Sequence, residues 1–236
     1  MVQSTEAKHT NTILSSLPDS EVDSLSPYLE FQELPRHTVL VDPEEPLRFA
    51  YFLNSGLASL VVPTREGRSV EVGLVGKGGM VGTSLVYGLK KTNQRVVMQV
   101  AGSGHRMRAD DLIRVLPSLP RFFSEMGRFI LQQCMQASQT AACNRLHSLK
   151  QRLARWLLMV HDRVGADFIM TQDYLADMLG TGRPSVSLTA SEMQKAGAIR
   201  YSRGVLHIVD RDLLERMSCE CYENVRRLNR ELGLPY

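Results

Sequence analysis

The sequence predicts an α+β chain made of an N-terminal β-sandwich or roll, a long helix, and a C-terminal winged helix-turn-helix. Three observations predict it. Short β-type runs broken by glycine fill residues 33–112, and a stripe with four-and-three spacing runs through residues 121–146. Two short helices joined by a glycine turn, then a small hairpin, fill residues 171–209.

Residues 1–12 (MVQSTEAKHTNT) are polar and lack the apolar core of a secretory signal, so a disordered tail and a cytoplasmic location are expected. No run approaches the roughly 20 apolar residues that span a bilayer, and no membrane partner is expected. Ser16 to Leu29 reads as a short helical lead-in. Strands are expected over His37–Val41, Arg48–Leu53, Leu57–Val62, Ser69–Leu74 and Arg95–Val100, with turns at Asn54–Gly56, Arg65–Gly67 and Lys77–Gly79. No helix-length segment separates them, which argues against a βαβ sheet.

From Arg121 the texture turns helical. Phe123, Gly127, Ile130, Cys134, Ala137, Ala141 and Asn144 form a coiled-coil seam, and its small residues let two backbones approach closely. A helix over 121–146 is roughly 39 Å long at ~1.5 Å per residue, a length suited to pairing with a second copy or to linking domains. Packing along the β domain of its own chain is the alternative. A second helix carries Leu149, Leu153, Trp156, Val160 and Val164 on one face and ends at Gly165, with a hinge near Leu146–Ser148. The expected domains are 1–120, the helix 121–147, and 148–236.

The segment Thr171–Gly180 (TQDYLADMLG) has an N-cap threonine, Asp173 in the first turn, a buried face of Leu175, Ala176 and Leu179, and a glycine where a left-handed C′ residue belongs. Pro184 marks the first turn of the next helix and Gly197 its end. At 100° per residue, Val186, Thr189, Ala190 and Met193 share the core side. Leu188 faces outward with Pro184, Ser191, Glu192 and Lys195, flanked by Ser185 and Ser187. A leucine aimed at water suits a recognition helix, where it can meet a thymine methyl while the serines bond base edges or phosphates. Residues 198–209 read as two strands around an Arg203-Gly204 turn, a wing that carries Arg203 to a phosphate. The DNA-contacting residues expected are Thr171, Gln172, Thr181, Arg183, Ser185, Ser187, Leu188, Lys195 and Arg203. A helical hairpin for protein contacts is the bland alternative.

Composition supports a nucleic-acid partner only weakly. The 236 residues carry a net charge of +3, and residues 149–203 hold eight Lys and Arg against five Asp and Glu. The four cysteines, Cys134, Cys143, Cys219 and Cys221, form no disulfide framework, and the last two are closer than zinc-knuckle spacing. Cys143 and His147 stand four apart on one helix face and in principle can hold a metal or haem. Reduced structural thiols are the commoner arrangement, so no metal and no cofactor is expected. No Ser-His-Asp set, HExxH motif or P-loop is present, which argues against an enzyme.

With these motifs in this order, the chain resembles the Crp/Fnr family of bacterial regulators over nearly its whole length. Tyr51–Gly56 (YFLNSG) and Gly76–Gly82 (GKGGMVG) look like the family's strand-turn signatures. The resemblance implies a jelly-roll-like β-roll that senses an effector, a dimerisation helix and a winged helix-turn-helix. The partners it implies are a palindromic double-stranded operator, a second copy of the chain, RNA polymerase and a small effector. In cyclic-nucleotide-binding members the pocket uses a Gly-Glu pair, an Arg-Ser pair and a Thr-Ser pair. Here Gly82, Arg95 and Ser138 are retained, while Thr83, Val96 and Ala137 replace the glutamate, the serine and the threonine. Each lost buried hydrogen bond costs on the order of 1 kcal/mol, which argues against cAMP as the effector. A constitutive binder, with the roll as scaffold only, is the second reading, and a cyclic-nucleotide-responsive regulator the third. The Fnr branch carries cluster cysteines near its N-terminus, and this chain has none before Cys134. Pro184 and Leu188 replace the family's usual glutamate and arginine, so the familiar half-site is not expected.

Overall fold

A computed structural model describes residues 11–43, 45–67, 69–165, 167–202 and 204–234. By contacts the chain falls into two compact units that do not follow chain order. The first takes residues up to Ala58 together with Val75–Gln132, and the second takes Ser59–Leu74 and Gln133–Leu234.

The described residues open with helices α1 (Thr12–Ser15) and α2 (Asp19–Leu25); of the tail expected over residues 1–12, residues 1–10 lie outside the described residues, and Thr12 is already helical. The reason is Asn11. Its side chain caps α1 by accepting from the Leu14 N–H, and its Nδ2 donates to the carbonyls of Leu53 and Gly79. The strands are β1 (Glu30–Leu34), β2 (Val39–Val41), β3 (Phe49–Leu53), β4 (Leu57–Pro63), β5 (Ser69–Val75), β6 (Met80–Val81), β7 (Arg95–Val100) and β8 (Gly102–Arg108). Five of these eight match expected runs. The missed ones are β1, whose exposed Glu30, Phe31 and Glu33 break the alternation expected of a half-buried strand, β6, which is two residues long, and the glycine-rich β8.

In the first unit an antiparallel sheet runs in the order β1-β8-β3-β6, and β2 pairs with β7. Gly102 opens β8 where the chain presses on the turn after β3, and a Cβ there would stand 2.2 Å from the Ser55 carbonyl oxygen. Phe52, Met80, Leu85, Met98, Met107 and Leu112 form the core with Phe122, whose ring centroid is 5.7 Å from that of Phe52. A short helix α3 (Ala109–Val115) closes the unit's β region.

Helix α4 (Pro120–Leu146) starts on a buried carboxylate. Glu21 accepts from the backbone N–H groups of Arg121 and Phe122 at 3.0 and 2.8 Å, satisfying orphan donors at the positive end of the helix. The helix ends where Ser148 forms a capping box with Gln151 and opens α5 (Leu149–Val164). That cap falls where a hinge is expected, near Leu146–Ser148.

In the second unit α5 runs through the interior with Leu153, Ala154, Trp156, Leu157, Leu158 and Val160 buried. Then come β9 (Asp167–Ile169), α6 (Gln172–Met178), α7 (Arg183–Lys195), β10 (Ile199–Ser202), β11 (Val205–Ile208), α8 (Arg211–Met217) and α9 (Cys221–Leu232). The wing has three strands in the order β10-β11-β9 rather than the expected two, because β9 adds to the hairpin with Val205 opposite Ile169. Helices α8 and α9 follow it. Asp210 caps α8, and Tyr222 and Arg211 both bond the Asp162 carboxylate of α5.

Candidate nucleic-acid interface

Helix α6 begins at Thr171, whose hydroxyl accepts from the Tyr174 N–H at 3.2 Å. Its buried face is Leu175, Ala176, Met178 and Leu179. Gly180 follows with φ +59, the left-handed geometry that lets the chain leave the helix at once. Thr181 then returns its N–H to the Ala176 carbonyl. Arg152 of α5 donates to the Leu179 carbonyl, supporting the same turn from the core side. Helix α7 starts on a Gly182 cap with Pro184 in its first turn.

The two sides of α7 separate as its sequence predicts. Val186, Thr189, Ala190 and Met193 are buried, and the Thr189 hydroxyl is spent on the Ser185 carbonyl at 2.8 Å. Arg183, Pro184, Ser185, Leu188, Ser191, Glu192 and Lys195 are exposed, with Ser187 half-buried. Leu188 is 65% exposed. The wing is tied to α7 by the Gln194 carboxamide, which accepts from the Tyr201 N–H, and the Tyr201 hydroxyl donates to the Met170 carbonyl. Thr171 is exposed and Gln172 half-buried at the N-terminus of α6. Arg203 lies outside the described residues. Arg183 pairs with Asp173 at 3.3 Å, both side chains being more than half exposed, so this pair is weak and solvent-screened.

The basic excess of this region is smaller at the surface than the sequence count suggests. Arg152, Arg155 and Arg163 face inward. They bond Asn144 at 3.1 Å, Thr140 at 3.1 Å and Gln136 at 3.1 Å, fastening α5 to the end of α4. Burial holds the Arg163 guanidinium down at about 10 against the pull of Asp162 and Glu71. Arg155 and Arg163 also face Glu71 of β5, a buried carboxyl that accepts from the Ser59 hydroxyl at 2.5 Å and the Trp156 N–H at 2.7 Å. Desolvation raises Glu71 to about 7, outweighing both hydrogen bonds and both cations.

The residues of the seam expected on α4 are exposed or half-buried within the chain, and one of them, Asn144, accepts from Arg152. Phe122, Met126, Phe129, Gln132, Gln136 and Cys143 take the buried face. Phe123, Cys134 and Ala141 are exposed, and Gly127, Ile130, Ala137 and Asn144 are half-buried between them. The Phe123 ring meets that of Tyr87 edge-on at 6.3 Å. Of the expected effector residues, Gly82 has φ +91 and Thr83 opens the 3-10 turn that follows it. Arg95 is held by Asp42 at 2.7 Å, Val96 is buried, and the Ser138 hydroxyl donates to the Cys134 carbonyl. No described helix is long and apolar enough to cross a membrane.

Comparisons with known proteins agree with this architecture. Residues 151–217 match the model of the Crp-like helix-turn-helix domain. The transcriptional regulator SdrP of Thermus thermophilus is 25% identical over 170 residues, covering 68% of this chain and 79% of that protein. A candidate transcriptional regulator of the Crp/Fnr family from Eubacterium rectale superposes with a TM-score of 0.72 at 16% identity, over 88% of this chain and 98% of that one. The c-di-GMP-responsive global regulator CLP of Xanthomonas campestris does so with a TM-score of 0.68 at 15% identity, over 81% and 99%. The chain therefore has the Crp/Fnr regulator fold and carries a Crp-like helix-turn-helix.

Proposed function

We propose, from the premise of a Crp-like helix-turn-helix on the Crp/Fnr regulator fold, that this chain is a transcription regulator that binds a palindromic operator as a homodimer. One observation carries the reading: α7 buries its apolar side completely yet leaves Leu188 open beside Arg183, Ser185 and Lys195. A helix that has satisfied its core and still presents a leucine among donors has the chemistry of a major-groove reader. Thr171, Gln172 and Thr181 stand at the helix starts and the turn, where backbone phosphates are met. Arg203 adds a wing contact. Arg183 leaves Asp173 for a base or phosphate at small cost, because the pair is exposed.

Dimerisation runs along the α4 stripe, whose small residues Gly127, Ala137 and Ala141 permit close helix approach. The β-roll senses a small effector other than cAMP. Thr83, Val96 and Ala137 remove three polar groups that cAMP uses, and Arg95 already has Asp42 as partner. RNA polymerase is the expected partner of the DNA-bound dimer.

The test is fluorescence-anisotropy titration of selected promoter fragments at two salt concentrations. The intact protein binds a discrete site with affinity that falls steeply as salt rises. Arg183→Ala weakens specific binding roughly 10- to 100-fold. Unchanged affinity for the operator removes Arg183 from the interface. In a thermal-shift panel with cAMP and cyclic di-GMP, cAMP leaves the midpoint unmoved, and a rise with cAMP contradicts the effector assignment.

A further inference from the structure

Four side chains that DNA binding leaves unused converge at the C-terminal end of α4. Cys143 lies in its last turn and His147 just beyond it. Cys219 lies in the link between α8 and α9, and Cys221 opens α9 on the other side of Glu220. All three cysteines are buried free thiols, and the imidazole is 15% exposed. Cys143 Sγ stands 3.6 Å from Cys219 Sγ, and Cys221 Sγ stands 3.5 Å from Nδ1 of His147. The four candidate ligand atoms all lie within 4.8 Å of one another.

The thiol pair is too far apart for a bond, which needs ~2.05 Å. Its separation instead matches a coordination edge. Around a tetrahedral ion with metal–sulfur distances of about 2.3 Å, neighbouring sulfurs stand about 3.7 Å apart, and a sulfur and an imidazole nitrogen about 3.5 Å. The ligands of an iron–sulfur cluster sit on different irons and spread wider, so the geometry favours one ion.

The surroundings point the same way. His147 Nε2 is 3.2 Å from the Glu220 carboxylate, so the ring N–H is held there and the Nδ1 lone pair faces the sulfurs. Gln139 Nε2 donates to Cys221 Sγ at 3.0 Å, so an amide donor stands ready for the charge a metal-bound thiolate carries there. A core cluster of small apolar groups needs neither an imidazole nitrogen pointed at it nor a carboxylate fixing that imidazole's tautomer.

We propose that Cys143, His147, Cys219 and Cys221 form a closed Cys3His site for one zinc-class divalent ion. Three thiolates and a neutral imidazole fill all four positions, which makes the site structural rather than catalytic. The ion joins residues 76 apart in sequence and so clamps the start of the DNA-binding region, with the end of α4, to the helices beyond the wing.

Cobalt(II) titration of the reduced, chelator-treated full-length protein tests this. One cobalt per chain should bind, giving thiolate charge-transfer absorption and intense tetrahedral visible bands that zinc bleaches. Metal analysis of protein purified without chelator should return one zinc per chain. Cys134→Ser, at an exposed cysteine outside the cluster, keeps the bands, and the double variant Cys219→Ser/Cys221→Ser loses them. Glu220→Gln alters only an exposed carboxylate, so its fold is safe, and it weakens zinc affinity roughly 10- to 100-fold. A metal-free protein that binds cobalt no better than the double variant overturns the proposal. So do bands that survive the double substitution, or zinc affinity unmoved by Glu220→Gln.

Discussion

Glu71 shows how much a single side chain reports about the second unit. Its carboxyl is buried among Ser59, Trp156, Arg155 and Arg163, and desolvation holds it near 7 rather than 4.5. The native state therefore binds this proton more tightly than the unfolded chain. The resulting stabilisation is complete below about 4.5, falls as pH rises through 7, and is absent above it. Its full size is on the order of 3 kcal/mol. Urea denaturation of Glu71→Gln between pH 4 and pH 8 should lose this decline, and an unchanged slope would remove Glu71 as its source. Gly102 makes a steric case of the same kind. Gly102→Ala drives a Cβ onto the Ser55 carbonyl and should cost about 1–3 kcal/mol in the same assay, with no effect on which DNA is bound. Neither residue was legible in the sequence. Glu71 meets Trp156 across 85 positions, and the press of Gly102 on Ser55 depends on two strands that only folding aligns. Leu188, by contrast, was legible, since helical periodicity alone places it opposite Val186 and Met193.

At the scale of elements, α4 carries two faces with different fates. Phe122, Met126 and Phe129 are buried within the chain, while the stripe from Phe123 to Asn144 stays open or half-open. Four-and-three spacing revealed the stripe because both faces of a helix obey the same period. What starts and stops the helix was only half visible. Only a break near Leu146–Ser148 was read, not the local Ser148–Gln151 capping box that makes it, and the Glu21 carboxylate that receives the first N–H groups comes from about 100 residues upstream. Ala141→Glu puts a charge on the exposed stripe and touches nothing buried. Light scattering after size exclusion should show it as a monomer with an unchanged circular dichroism spectrum, and a dimer would place the interface elsewhere. The wing's third strand, β9, was missed because its three residues carry too short a pattern to separate from loop.

At the scale of the whole molecule, net charge turned out a poorer guide than topology. Three of the arginines counted toward a DNA-binding excess serve as struts between α4 and α5. Salt dependence should consequently reflect the cations on α7 and the wing rather than the full basic count. Chain order also misleads about compactness. The β4–β5 hairpin from Ser59 to Leu74 belongs with the helix-turn-helix unit, to which Glu71 ties it through Trp156. Order of motifs, by contrast, was readable throughout, because each one—glycine-broken strands, long helix, capped helix pair, hairpin—has its own local signature. As proposed, two copies of α7 enter successive major grooves of one duplex. Hydroxyl-radical footprinting of an operator recovered by selection decides it. A palindromic site should appear, with two protected half-sites about one helical turn apart and a base sequence unlike that read by glutamate and arginine. A single protected half-site, or no protection at any protein concentration, would contradict it.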